Sequence, residues 1–260
     1  MLWAGTENGL YQYNANTESF ALLPGTENAP TRDIQMDKQG GLWFIWGFTL
    51  VVYNTNSHML KSFDQDQYFE ATSVCIAADG TPWISTSDGL LKKYTGGNRF
   101  MSYDLFAHSR PVVSKWIEKV YLAGDTILVG TSNQGAKAFD IHTTSYQDVL
   151  TYNPDKTDLF ARNFVQVSPN EFWIATETGI YIYNTSSGRA THLEKTYNNP
   201  YSISDNAVYS FCKDKEGGIW ATTYFGGINY YPSQHTPFKK WFPMLGENSL
   251  SGNVARRMRG

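Results

Sequence analysis

The chain has 260 residues, a formal net charge of -3, 41% apolar and 15% aromatic residues, and only 17% charged ones. Against about 25% charged residues in ordinary soluble domains, this composition supports a sizeable core and argues against a coiled coil or a charge-rich disordered chain. No Lys/Arg block precedes Arg256, Arg257 and Arg259, which argues against a general nucleic-acid binder.

The chain opens with Leu2-Trp3-Ala4-Gly5-Thr6, which reads as a short strand and has none of the build of a signal peptide. The block returns as Leu42-Trp43-Phe44-Ile45-Trp46, Pro82-Trp83-Ile84-Ser85-Thr86, Ile127-Leu128-Val129-Gly130-Thr131, Phe172-Trp173-Ile174-Ala175-Thr176 and Ile219-Trp220-Ala221-Thr222-Thr223. From Trp3 through Trp43, Trp83, Leu128 and Trp173 to Trp220 the intervals are 40, 40, 45, 45 and 47 residues. A period of that size marks a repeat architecture. The longest apolar run, 42–53, is broken by Gly47 and Thr49 and falls short of the ~18 residues a membrane helix needs.

Other columns keep step with the tryptophans. Gly-apolar pairs follow at Gly9-Leu10, Gly89-Leu90, Gly135-Ala136, Gly179-Ile180 and Gly227-Ile228. An aromatic comes next, at Tyr13, Tyr53, Tyr94, Phe139, Tyr183 and Tyr231. An Asp/Gly turn precedes the tryptophan at 37–41 and 214–218, where Asp37 and Asp214 read as turn formers accepting backbone N–H bonds. Each copy makes four short strands; in the last full one these fall at 208–213, 219–223, 228–231 and 238–242. Four strands per 40–47 residues is the size of one propeller blade. The expected fold is all-β: a β-propeller of four-stranded antiparallel blades, with six blade equivalents present. Residues 1–246 form this domain, a partial first blade plus five full ones, and 247–260 form the inner strand that starts the next blade. That last strand either continues into a longer protein, the preferred reading, or pairs with 2–6 to close a six-bladed ring.

No catalytic signature such as H-E-x-x-H, a phosphate-binding loop or a G-x-S-x-G elbow occurs, and the five histidines lack ligand spacing. Neither enzyme chemistry, a metal nor a cofactor is expected. Cys75 and Cys212 each stand eight before their Trp and read as small buried hydrophobes. Trp116 reads as the core of an inner strand. Loops expected on one face carry Trp46, Phe48, Tyr68, Phe69, Tyr224 and Phe225, with Arg32, Arg110, Arg162 and Asn163 near the starts of inner strands. Aromatics there stack on the C–H face of a sugar, and arginines donate to hydroxyls or a carboxylate. Trp46-Gly47-Phe48 is the leading candidate, because it replaces a turn that the other five repeats keep. The competing use of such rings is to wedge blades together or to dock a protein partner.

The stretch 199–211 (Asn-Pro-Tyr-Ser-Ile-Ser-Asp-Asn-Ala-Val-Tyr-Ser-Phe), with Asp214-Lys215-Glu216-Gly217-Gly218-Ile219-Trp220 after it, resembles the two-component regulator propeller repeat. Gly226–Tyr231 and Asn248–Val254 resemble it as well. The resemblance implies the periplasmic sensor region of a hybrid two-component regulator of Bacteroidetes. There, two seven-bladed propellers precede an immunoglobulin-like domain, a membrane helix, a histidine kinase, a receiver and a DNA-binding domain, and the resemblance implies that this chain is most of the first seven-bladed propeller and the lip of the second. It further implies an oligosaccharide ligand that controls polysaccharide-utilisation genes, contact with the neighbouring propeller of the parent chain, and a homodimeric parent. The alternative is a stand-alone six-bladed propeller serving as a protein-interaction platform.

Overall fold

A computed structural model describes residues 2–63, 69–108, 114–197, 199 and 201–234. The fold is a β-propeller of antiparallel sheets taken up in sequence order, and the described residues form no α-helix. The first sheet holds β1 (Trp3–Thr6), β2 (Gly9–Asn14) and β3 (Ser19–Leu22). The second holds β4 (Thr31–Met36), β5 (Gly41–Trp46), β6 (Thr49–Asn54) and β7 (Met59–Ser62). The third holds β8 (Ala71–Ile76), β9 (Pro82–Thr86), β10 (Leu90–Gly96) and β11 (Arg99–Asp104). In the fourth are β12 (Ile117–Ala123), β13 (Thr126–Thr131), β14 (Ala136–Asp140) and β15 (Tyr146–Leu150). The fifth comprises β16 (Ala161–Ser168), β17 (Glu171–Thr176), β18 (Gly179–Asn184) and β19 (Arg189–Leu193). The sixth comprises β20 (Val208–Lys213), β21 (Ile219–Thr223) and β22 (Ile228–Tyr231), at the positions the repeat predicts. The strand expected at 238–242 and the segment 247–260 lie outside the described residues.

Two compact units divide the chain, Met1–Asn163 and Phe164–Gly260, with the boundary inside β16. In the first unit, β5 shows why a blade strand reads as continuously apolar: both of its faces are covered. Leu42 and Phe44 enter a core with Leu10, while Trp43 and Ile45 enter another with Val74 and Ile84. Period-2 alternation thus sends successive side chains to successive inter-blade cores. Fully burying each such side chain contributes about 2–3 kcal/mol. The inner strands β4 and β12 both pack against β8. In the second unit, Trp173, Val165 and Ala175 share a core with Val208, Ile219 and Ala221, and Trp173 meets Tyr231 edge-on at 5.0 Å.

The Asp/Gly turns form as expected, with one addition. Asp37 Oδ1 accepts from the amides of Gln39 (2.8 Å) and Gly41 (2.7 Å), and Oδ2 accepts from Trp43 Nε1 (2.7 Å). Asp214 repeats the set with Glu216, Gly218 and Trp220 Nε1. A Cβ at position 41 would lie 2.4 Å from Asp37 Oδ2, which is why glycine stands there.

The cysteines part company. Cys75 is buried in the core around Trp83, whereas Cys212 is exposed. On β20, Phe211 faces the Trp173 core and its neighbour Cys212 takes the opposite face, paired across the ladder with the exposed Trp220. Trp116 is half-buried and stands one residue ahead of β12, with its carbonyl still accepting from Ser132 N (3.1 Å).

Candidate functional site

The turns joining second to third strands are closed by a hydroxyl. Thr6, Thr86, Thr131, Thr176 and Thr223 donate through Oγ1 to Gly9, Leu90, Gly135, Gly179 and Gly227 carbonyls at 2.8–3.1 Å. In the second sheet Trp46 takes the threonine position. Its ring packs on the core of Leu10, Leu42 and Phe44, with the indole N–H buried and unpartnered. Trp46 is therefore set as a wedge, and the residue that emerges is Phe48, 42% exposed.

Around Phe48 the first unit assembles a small constellation. The turn is pinned on both sides: Gly47 N donates to Pro30 O and Ala71 N donates to Phe48 O, each at 2.8 Å. Gly47 has φ +62°, in the left-handed region. The Arg32 guanidinium lies over the Phe48 ring at 5.4 Å and donates to Gly47 O at 3.3 Å. Trp116 meets Phe48 edge-on (5.7 Å, 88°) and donates from Nε1 to Glu118 Oε2 at 3.0 Å. Beside them Asp33, at φ +54°, forms an ion pair with Lys119, tying β4 to β12 past β8.

A recurring β-bulge places several of these groups. The ladder slips between Arg32 and Gln35, Ala71 and Ser73, Ile117 and Lys119, and Val208 and Ser210. Asp33-Ile34, Thr72, Glu118 and Tyr209 are the residues left out of register. Such bulges re-aim side chains. Thr72 and Tyr209 stand eleven before their register tryptophans and Glu118 ten before Leu128, a periodicity that would have singled them out in the sequence.

In the second unit Tyr209 joins Tyr224 and Phe225. Tyr209 and Tyr224 stack at 5.7 Å and 16°, and Phe225 stands edge-on to Tyr224 at 4.3 Å. All three are exposed, Phe225 to 86%. The Asp205 carboxylate accepts from Phe225 N at 2.9 Å, and Tyr224 N donates to Ala207 O at 2.9 Å. The Phe225 amide leads the causes that hold the Asp205 carboxyl below the usual range. Asn229 Nδ2 donates to Ser204 Oγ (2.8 Å) and its Oδ1 accepts from Ser204 N, so the preceding loop is fastened to β22. The result is a preorganised three-ring platform, of which Tyr209 was missed by reading loops alone.

The remaining candidates are dispersed. Phe69 is half-buried against Phe100 (5.3 Å) with the Lys92 ammonium 4.9 Å from its ring. Arg162 is half-buried and stacks on Phe160 at 4.1 Å, next to the half-buried Asn163. Tyr68 and Arg110 lie outside the described residues. A cleft of about 710 Å³ opens between β18–β19 and β21–β22 beside the Trp173–Tyr231 pair. The equivalent Trp43–Tyr94 pair has Phe100 of β11 against it. Phe238, the counterpart of Phe100 in the repeat, lies outside the described residues, so this cleft carries no ligand argument. No group of three or more His, Cys, Asp or Glu suited to a metal ion occurs among the described residues.

Residues 202–225 match the family model described as two component regulator propeller. That stretch, which contains Asp205, Tyr209, Tyr224 and Phe225, is such a repeat, as its residue pattern predicts. No curated protein matches the chain. Among solved structures it resembles the extracellular domain of the putative hybrid two component system BT4673 from B. thetaiotaomicron, at 20% identity and TM-score 0.76, covering 88% of this chain and 31% of that one. The corresponding domain of BT3049 from the same organism gives 22% identity and TM-score 0.75, covering 96% and 34%. Virginiamycin B lyase from Staphylococcus aureus, at 14% identity and TM-score 0.64, covers 88% and 79%. At these identities the likeness establishes the propeller fold, and the chain spans about a third of the hybrid-system domains it matches.

Proposed function

We propose that this chain is part of the extracytoplasmic sensor region of a hybrid two-component regulator and that it binds an oligosaccharide without transforming it. The reading places the chain in the periplasm, against a neighbouring propeller of a homodimeric parent, with polysaccharide-utilisation genes as the output. The observation that carries it is the Tyr209–Tyr224–Phe225 platform, built inside the stretch that matches the regulator repeat. Exposed rings held rigid at a loop tip lose little entropy on binding and present π-faces to the C–H groups of a sugar. The likeness to two hybrid-system extracellular domains supports the sensor reading over the lyase.

Calorimetric titration with plant and host oligosaccharides tests it. Saturable binding that Phe225→Ala weakens at least tenfold is the expected result. Silence across the panel, with self-association seen by light scattering, overturns the sugar reading in favour of a protein-docking platform. Hydrolysis or eliminative cleavage of any sugar by the pure protein overturns the non-enzymatic one.

A further inference from the structure

We infer that the Arg32–Phe48–Trp116 constellation of the first unit is an anion-selective saccharide subsite, taking a sugar that bears a carboxylate or a sulfate ester. The inference rests on the oligosaccharide reading above and adds the charge of the ligand. Three observations carry it. First, the cations of this unit fall into two groups: Lys119, Lys137 and Lys115 pair with the carboxylates of Asp33, Asp148 and Asp104, whereas Lys38 and Lys61 donate to backbone carbonyls. Arg32 belongs to the second group: among the described residues no carboxylate lies within ion-pair distance of it, and its one hydrogen bond goes to the Gly47 carbonyl. Second, its single hydrogen bond to Gly47 O and its seat over Phe48 fix the plane of the guanidinium. A planar donor fork held this way suits the two oxygens of a carboxylate or sulfate. Third, the anchor is flanked by apolar rings, Phe48 and the edge-on Trp116, for the C–H face of the same sugar residue. Glu118, oriented by Trp116 Nε1, adds an acceptor for a hydroxyl.

The net charge of -3 works against anions at long range, so selectivity falls to this local group. Because Arg32 is exposed, its contribution is screened and should fade with added salt.

The test compares trigalacturonate (carboxylate), a sulfated heparin-derived disaccharide (sulfate) and galactotriose (neutral) by calorimetry on the intact chain. We expect at least one acidic sugar to bind tenfold or more tighter than galactotriose, the acid that wins identifying the group. Raising salt from 0.05 to about 0.5 M should shrink that margin. Arg32→Met should erase it with the thermal midpoint unchanged, and Arg32→Lys should recover only part. Equal binding of acidic and neutral sugars overturns the inference, as does a preference that survives Arg32→Met. If binding is lost in Phe225→Ala and untouched in Arg32→Met, the inference falls and the sensor reading stands. Failure of every sugar to bind overturns both.

Discussion

The Asp205 carboxylate, fixed by the Phe225 amide, belongs to a set of aspartates that hold turns through backbone N–H groups. The Thr81 amide and hydroxyl lower Asp79, the Thr143 and His142 amides lower Asp140, and Thr157 lowers Asp155. At Asp214 desolvation pulls upward, yet the Gly218 amide and the Trp220 indole outweigh it and the net direction is down. A carboxyl whose folded pKa sits below its ordinary 3.8 binds fewer protons folded than unfolded. Its stabilising effect is complete above that pH and is lost as the pH falls through the depressed folded value. The denaturant midpoint should therefore hold steady between pH 7 and 5 and fall below pH ~4, and Asp205→Asn should flatten part of that fall. The two thiols give a second residue-scale prediction. Burial pushes Cys75 up to about 12, while Cys212 is exposed. Maleimide at pH 7.5 should label one thiol per chain in the native protein and two in denaturant, because only an accessible thiolate reacts.

At the scale of the strand, β14 carries an ammonium into a blade. Lys137 is fully buried, its Nζ 2.6 Å from Asp148 Oδ1 on β15 and within 5.5 Å of the Phe106 and Tyr146 rings. Asp148 is half exposed, which partly screens the pair, so taking its carboxylate away from a buried ammonium (Asp148→Ala) should cost about 1–2 kcal/mol. Lys137→Met deletes the charge and keeps the stem, so its cost should stay below about 1 kcal/mol. Urea unfolding of the two variants measures the asymmetry. The strands themselves were legible in the sequence, since tryptophan, Gly-apolar and aromatic columns repeat at fixed offsets. The exposure of Phe48, Tyr224 and Phe225 was legible too, because they interrupt turns that are otherwise polar. What stayed hidden depends on contact between distant segments. Asp33 and Lys119 lie 86 residues apart, and nothing local marks them as partners. Trp46, which reads as a loop ring, ends β5 half-buried, because the same break in pattern that exposes Phe48 packs Trp46 against the core.

Across the whole molecule, the register residue measures how thoroughly each blade is covered. Trp43, Trp83, Leu128 and Trp173 are buried, whereas Trp220 is 42% exposed. Trp83→Ala should cost about 4 kcal/mol, a cavity left between packed faces. Trp220→Ala should cost less, about 1–2 kcal/mol, chiefly the loss of its hydrogen bond to Asp214 and its contact with Tyr230. Thermal melts of the two variants should separate by many degrees. The reverse ranking would mean that coverage of the tryptophan column does not govern stability.

The threonine hydroxyls that close the turns have a consequence for how such a protein can change. Because Thr223 Oγ1 satisfies the Gly227 carbonyl and the amides of the next two residues reach Ala207 and Asp205, the side chains of Tyr224 and Phe225 carry no duty in closing the loop. The Glu7-Asn8, Ser87-Asp88, Glu177-Thr178 and Tyr224-Phe225 pairs occupy the same frame with unrelated chemistry. Asn8 and Ser87 spend their side chains on the neighbouring segment, on the Asn28 amide and the Glu70 carboxylate, whereas Tyr224 and Phe225 turn their rings to solvent and leave that blade tip open to change. Combinatorial libraries confined to positions 224 and 225 would search for new receptors at little risk to folding.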